Sequence, residues 1–91
     1  MNGKLFDRIL ARTDLYAEVL PGTILVEIVG DRRVLIENHG GIKVYSCNEI
    51  TVASKNGVLC VTGQDLTIAR MTKEQLVITG KIDGVQLFGE N

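Results

Sequence analysis

The sequence contains no tryptophan, and two tyrosines and two phenylalanines are its only aromatic residues. Its core must therefore be aliphatic, built from Ile, Leu and Val. Aromatic scarcity also excludes a base-stacking platform, which Tyr45 alone does not make. There is no charge excess: 10 Lys and Arg face 11 Asp and Glu, for a formal net charge of −1. A general polyanion binder needs a basic face, so no nucleic-acid partner is expected. No apolar run approaches the roughly 18 residues of a membrane-spanning helix. The start Met1-Asn2-Gly3-Lys4 leads into a mixed polar and apolar segment, not a signal-peptide core, so a cytoplasmic location is expected. Only two cysteines are present, Cys47 and Cys60, far apart in sequence. They read as reduced thiols, one near a turn and one in a strand. A metal site from Cys47, Cys60 and His39 would lack both a CxxC pair and an evident fourth ligand. No metal or other cofactor is expected.

What is present is a chain of 91 residues with 45% hydrophobic content. That is the size of one folded unit, and its core must be modest. Residues 4–20 read as an amphipathic helix, with Leu5, Ile9, Tyr16 and Leu20 on one face and Phe6 at its edge. Thr13 or Asp14 could cap a second short helix within it. The single proline, in Pro21-Gly22, ends the segment. Its charges cancel, so it lacks the basic face that anionic lipids attract. Packing on the rest of the chain or on a partner is expected over membrane anchoring. The chain thus divides into a helical segment, 1–22, and a β domain, 23–91.

From Thr23 the hydrophobic period changes to two. The alternation predicts eight strands: Ile24–Val29, Arg33–Asn38, Ile42–Ser46, Glu49–Ser54, Val58–Thr62, Leu66–Arg70, Gln75–Thr79 and Ile82–Phe88. Gly30-Asp31 and Lys55-Asn56-Gly57 suit tight hairpins, the Asn-Gly pair favouring a type I′ turn. No break is long enough for a crossover helix, so the strands should be antiparallel. The fold expected is mainly β, about eight short antiparallel strands in a meander forming a small sandwich or barrel-like roll. The inward face should carry Ile24, Val26, Ile28, Val34, Ile36, Ile42, Val44, Ile50, Val52, Leu66, Ile68, Leu76, Ile78, Ile82, Val85 and Leu87. Leu59–Leu66 is echoed by Leu76–Ile82 about 17 residues later. A β-solenoid would produce that period, and so would a run of hairpins. Val58–Val61 and Ile24–Val29 are apolar on both faces, which predicts self-association.

The organising stretch is Val34–Tyr45, two apolar runs meeting at Glu37-Asn38-His39-Gly40-Gly41. His39 is the only histidine, with Glu37 and Tyr45 near it in sequence. A general base needs a nucleophile or substrate pocket and an orienting acid. No Gly-x-Ser-x-Gly elbow, Walker pattern or histidine-rich run accompanies it. His39 therefore reads as a turn residue making a local hydrogen bond. The alternative is a small β-barrel binding a ligand or catalysing through Glu37, His39 and Tyr45. Gly40-Gly41 leads into a strand rather than a helix N-terminus, so it is not a phosphate loop.

Ile36-Glu37-Asn38-His39-Gly40-Gly41-Ile42, preceded by Leu20-Pro21 and Gly30, resembles the YabP/YqfC family of sporulation proteins, and its YqfC branch most. The resemblance continues through Gly57-Val58-Leu59-Cys60-Val61-Thr62-Gly63 to Ile68, then Glu74 to Ile82 and Val85. It covers about Leu20 to Leu87. The resemblance implies a non-enzymatic protein of endospore formation, made in the mother cell. It also implies a larger membrane-associated sporulation protein as partner, and a place at the membrane around the forespore. It carries over no catalytic residue, cofactor or small-molecule substrate. Glu37, Asn38, His39, Gly40, Gly57, Gly63 and Gly80 are its signature positions, read as structural.

Overall fold

A computed structural model describes residues 22–89; the helix expected over 4–20 lies outside them. The described chain is all strand and turn. Six strands follow in order: β1 (Leu25–Val29), β2 (Arg33–Glu37), β3 (Ile42–Tyr45), β4 (Glu49–Ser54), β5 (Gly57–Met71) and β6 (Gln75–Gly89). They form one open sheet in the order β1-β2-β6-β5-β4-β3, and every pairing is antiparallel. That excludes a solenoid of parallel rungs.

The expected eight strands are six because two breaks are not turns. Val58–Thr62 and Leu66–Arg70 are one 15-residue strand, as are Gln75–Thr79 and Ile82–Phe88. Gly63-Gln64-Asp65 stays in the ladder as a bulged bend, with register shifts at Thr62/Gly63 and Gln64/Thr67. Asp65 takes φ +54 and Gly80, across from it, φ +138. A side chain on Gly63 would collide with the Lys81 carbonyl, and one on Gly80 would stand 2.6 Å from the Asp65 carbonyl. Glycine at both positions lets two backbones press together where β5 and β6 bend.

The bend creates two halves. β1, β2, Gln75–Thr79 and the end of β5 form one; β3, β4, the start of β5 and 84–89 form the other. Val34, Ile36, Leu76 and Ile78 of the first half are fully buried, as are Ile50, Val52, Leu59 and Val61 of the second. All eight belong to one core cluster with Leu66 and Ile82. A flat sheet would leave one face wet, so these side chains are dry only because the sheet folds over itself.

Two of the hairpin turns then each cap one of the bends. From the β1–β2 turn, the carbonyls of Arg32 and Asp31 accept from Gly80 N (3.2 Å) and Ile82 N (2.7 Å). From the β3–β4 turn, those of Asn48 and Cys47 accept from Gly63 N and Leu66 N, both at 2.9 Å. The 17-residue echo has its explanation here: Thr62-Gly63 and Thr79-Gly80 mark the equivalent bends of two neighbouring strands.

Three residues expected inward are exposed. Val44 is turned out by a bulge that sets it opposite Thr51, and Ile28 lies on an edge strand. Leu87 pairs with Leu59 on the core side but is 61% exposed at the open end of the roll. The hairpin at Lys55-Asn56 is not the expected type I′ turn, since neither residue has positive φ; Gly57 is already paired with Ser54.

Candidate interaction surface

The signature loop is fixed from both ends. Asn38 adopts φ +67, a left-handed conformation that asparagine tolerates. Its backbone N–H donates to Glu74 O at 2.7 Å and its side-chain amide to Thr23 O at 2.8 Å. Gly41 N–H donates to His39 Nδ1 at 3.1 Å, so Nδ1 carries no proton. The other nitrogen, Nε2, lies 2.9 Å from Thr72 O and donates to it. Both ring nitrogens are thus engaged by backbone. Gly40 donates to Ala53 O at 2.7 Å and packs its Cα against Ala53, where a side chain would crowd at 3.2 Å. Together these contacts tie the β2–β3 loop to the β5–β6 turn and to β4. No local pattern marks Thr72, 33 positions away, as the histidine's partner.

The other residues weighed for chemistry do not join His39. Glu37 is buried beside its register partner Gln75, with its Oε2 and Gln75 Oε1 both lacking a donor. Tyr45 is 56% exposed on β3, opposite Ile50, in the other half of the molecule. None of the three lines either depression described below. Cys47 and Cys60 are both free; Cys47 is exposed and Cys60 lies half-buried on the outer face. The Cys60 thiol and Thr51 hydroxyl both donate to Glu49 Oε2, at 3.6 and 3.0 Å. Among the described residues no group of three His, Cys, Asp or Glu could hold a metal ion. Gly57 lies where β5 meets the end of β6, and a side chain there would collide with the Phe88 carbonyl.

The exposed large hydrophobic residues are Ile28 and Val29 on β1, Val44 and Tyr45 on β3, Met71 on β5, and Leu87 and Phe88 at the end of β6, where two depressions also lie. Leu87 and Phe88 are 61% and 48% exposed. Phe88 divides two depressions. One, of about 240 Å³, lies at the open end of the roll among Thr23, Ile24, Lys55 and Leu87. The other, of about 380 Å³, lies on the outer face among Glu49, Cys60, Thr62, Gly84 and Gln86. Gly84 has no side chain to fill it, and Thr62 and Cys60 form its floor through their pairing with Gly84 and Gln86. Among the described residues, no strand pairs with the far edge of 84–89. Local pattern could not reveal this surface, because alternation assigned Leu87 to the core and said nothing of which edges stay open.

The uncharacterized protein YqfC of Bacillus subtilis (strain 168) is 31% identical over 61 residues, 67% of this chain. The match spans 66% of that relative's length. No solved structure matches the chain significantly. The YabP family model matches residues 22–91, which takes in the signature loop, both bends and the whole described sheet. On that match the chain belongs to the YabP family.

Proposed function

We propose that this protein is a non-enzymatic structural or adaptor module of bacterial endospore formation. It acts in the mother cell by self-assembly or by binding a membrane-associated sporulation protein. Family membership supports the sporulation role, and the free apolar edge of β6 supports action through a surface. Exposed apolar patches bounded by polar residues mark interaction sites more often than they are left idle. No helix among the described residues is long and apolar enough to cross a membrane. The signature residues Glu37, Asn38, His39, Gly40, Gly57, Gly63 and Gly80 serve the fold in this reading. A ligand-binding or catalytic site at Glu37, His39 and Tyr45 is less well supported, because His39 spends both nitrogens on backbone.

The experiment is deletion of the gene in its spore-forming host, complemented with wild type or with Phe88→Glu. Wild type should restore heat-resistant spores and Phe88→Glu should not, while the variant protein accumulates to normal levels. Full sporulation of the deletion strain would refute the reading.

A further inference from the structure

The sheet has four free stretches of strand edge among the described residues: β1, β3, the end of β5, and 84–89 of β6. Soluble proteins blunt such edges with charge, bulges or brevity. β1 carries Glu27. β3 has four residues, a bulge and Lys43. The end of β5 is irregular between Ile68 and Arg70 and carries Arg70. Residues 84–89, Gly-Val-Gln-Leu-Phe-Gly, hold no charge and no register shift against β5. This is the one edge of the four that lacks a charge, a bulge and brevity; Leu87 and Phe88 stand about half-exposed on it, as Ile28 and Val29 do on β1 and Val44 and Tyr45 on β3, so the missing protection and not the apolar content sets it apart.

We propose that this edge pairs with the same edge of a second copy, antiparallel about a two-fold axis through Gln86. The proposal rests on the reading of the chain as an interaction module and names its occupant. Symmetry restricts the register. Opposed residues in an antiparallel pair share a face, so outer-face residues must meet outer-face residues and the axis must pass through a residue. Gly84, Gln86 and Phe88 are the outer-face set, being level with Thr62, Cys60 and Val58. Centring on Gln86 sets the two Gln86 side chains against each other and sets Phe88 of each copy opposite Gly84 of the other. The ring then covers the glycine and enters the depression of about 380 Å³ that the glycine leaves open. An aromatic opposite a strand glycine restores the packing that the glycine lacks. On the core side Leu87 meets Val85 of the second copy, covering the most exposed of the large hydrophobic residues. The only charge on 82–89, Asp83, then faces Gly89 rather than its own copy. A parallel pairing would set the two aspartates side by side.

The test uses the full chain with Cys47→Ser and Cys60→Ser, adding either Gln86→Cys or Asp83→Cys. In the proposed register the 86 positions lie directly opposite, about 5 Å apart at Cβ, within reach of a disulfide once the strands adjust. The 83 positions lie six residues apart along the strands, about 20 Å. Mild oxidation should cross-link the Gln86→Cys protein and leave the Asp83→Cys protein uncross-linked. Light scattering across a concentration series should find a dimer, and Phe88→Lys should weaken it at least about tenfold, as loss of an interface aromatic does. Circular dichroism of Phe88→Lys should remain native. A monomer at every concentration, equal cross-linking at both positions, or a dimer indifferent to Phe88→Lys would overturn the proposal. A monomer whose Phe88→Glu variant still fails to support sporulation would overturn self-pairing while leaving the module reading intact. A Gln86-centred dimer whose edge variants sporulate normally would do the reverse.

Discussion

Replacing His39 tests whether the signature loop holds the fold together. Two hydrogen bonds are at stake: Nε2–H to Thr72 O at 2.9 Å, and Gly41 N–H to Nδ1 at 3.1 Å, both partly buried. Each such bond contributes about 0.5–1.5 kcal/mol net, so His39→Ala should cost about 1–3 kcal/mol. A chain of this length has a total stability of only about 5–14 kcal/mol. The melting temperature should fall by roughly 4–24 °C, at about 4–8 °C per kcal/mol. Two further variants divide the loss. His39→Gln can place an amide N–H near the position of Nε2 and keep the bond to Thr72. His39→Asn can place an oxygen near the position of Nδ1 and keep the bond to Gly41. Each should recover part of the stability. Thermal melts by circular dichroism measure all three. A His39→Ala protein that melts like wild type would refute the reasoning. So would a variant of wild-type stability that no longer supports sporulation, since that pattern belongs to a chemical site.

Gly63→Ala should destabilise the protein by about 1–3 kcal/mol or more, because its Cβ meets the Lys81 carbonyl and β5 must move away from β6. Gly89→Ala, which meets nothing within 4 Å, should stay within about 0.5 kcal/mol of wild type in the same urea titration. Leu59→Ala removes a fully buried side chain from the centre of the core and should cost about 2–5 kcal/mol, read as a lower urea midpoint. Glu37→Gln should raise the melting temperature by several degrees. It replaces the donor-less Glu37 Oε2 with an N–H that can donate to the donor-less Gln75 Oε1, for a gain of about 1 kcal/mol. A lower melting temperature for Glu37→Gln would mean that the carboxylate is already paired.

The strands themselves were legible because a period of two is a local property. β4 begins and ends where alternation placed it, and β1, β2 and β3 differ by one residue at one end. The short connections already required antiparallel neighbours. The family was legible too, since the Glu37–Gly41 loop and the spaced glycines form an ordered set that the YabP match spans. The site was not. Gly63-Gln64-Asp65 has the composition of a turn, and only the presence of Gly80 and Lys81 across the ladder makes it a bend within one strand.

From that bend follow the facts that local pattern could not supply. β6 leaves β2 at Thr79 and continues alone at the far edge of the other half, which is why 84–89 is unpaired among the described residues. Leu87 falls on the core side yet stays wet, because the roll is open at that end. His39 finds its partner at Thr72 because the β2–β3 loop and the β5–β6 turn meet at one end of the sheet. The sequence determined strands, aliphatic core and lineage, since those depend on neighbours in the chain. The tertiary structure decided which glycines bend, which edge stays open and what the histidine holds, since those depend on residues brought opposite one another by long-range register.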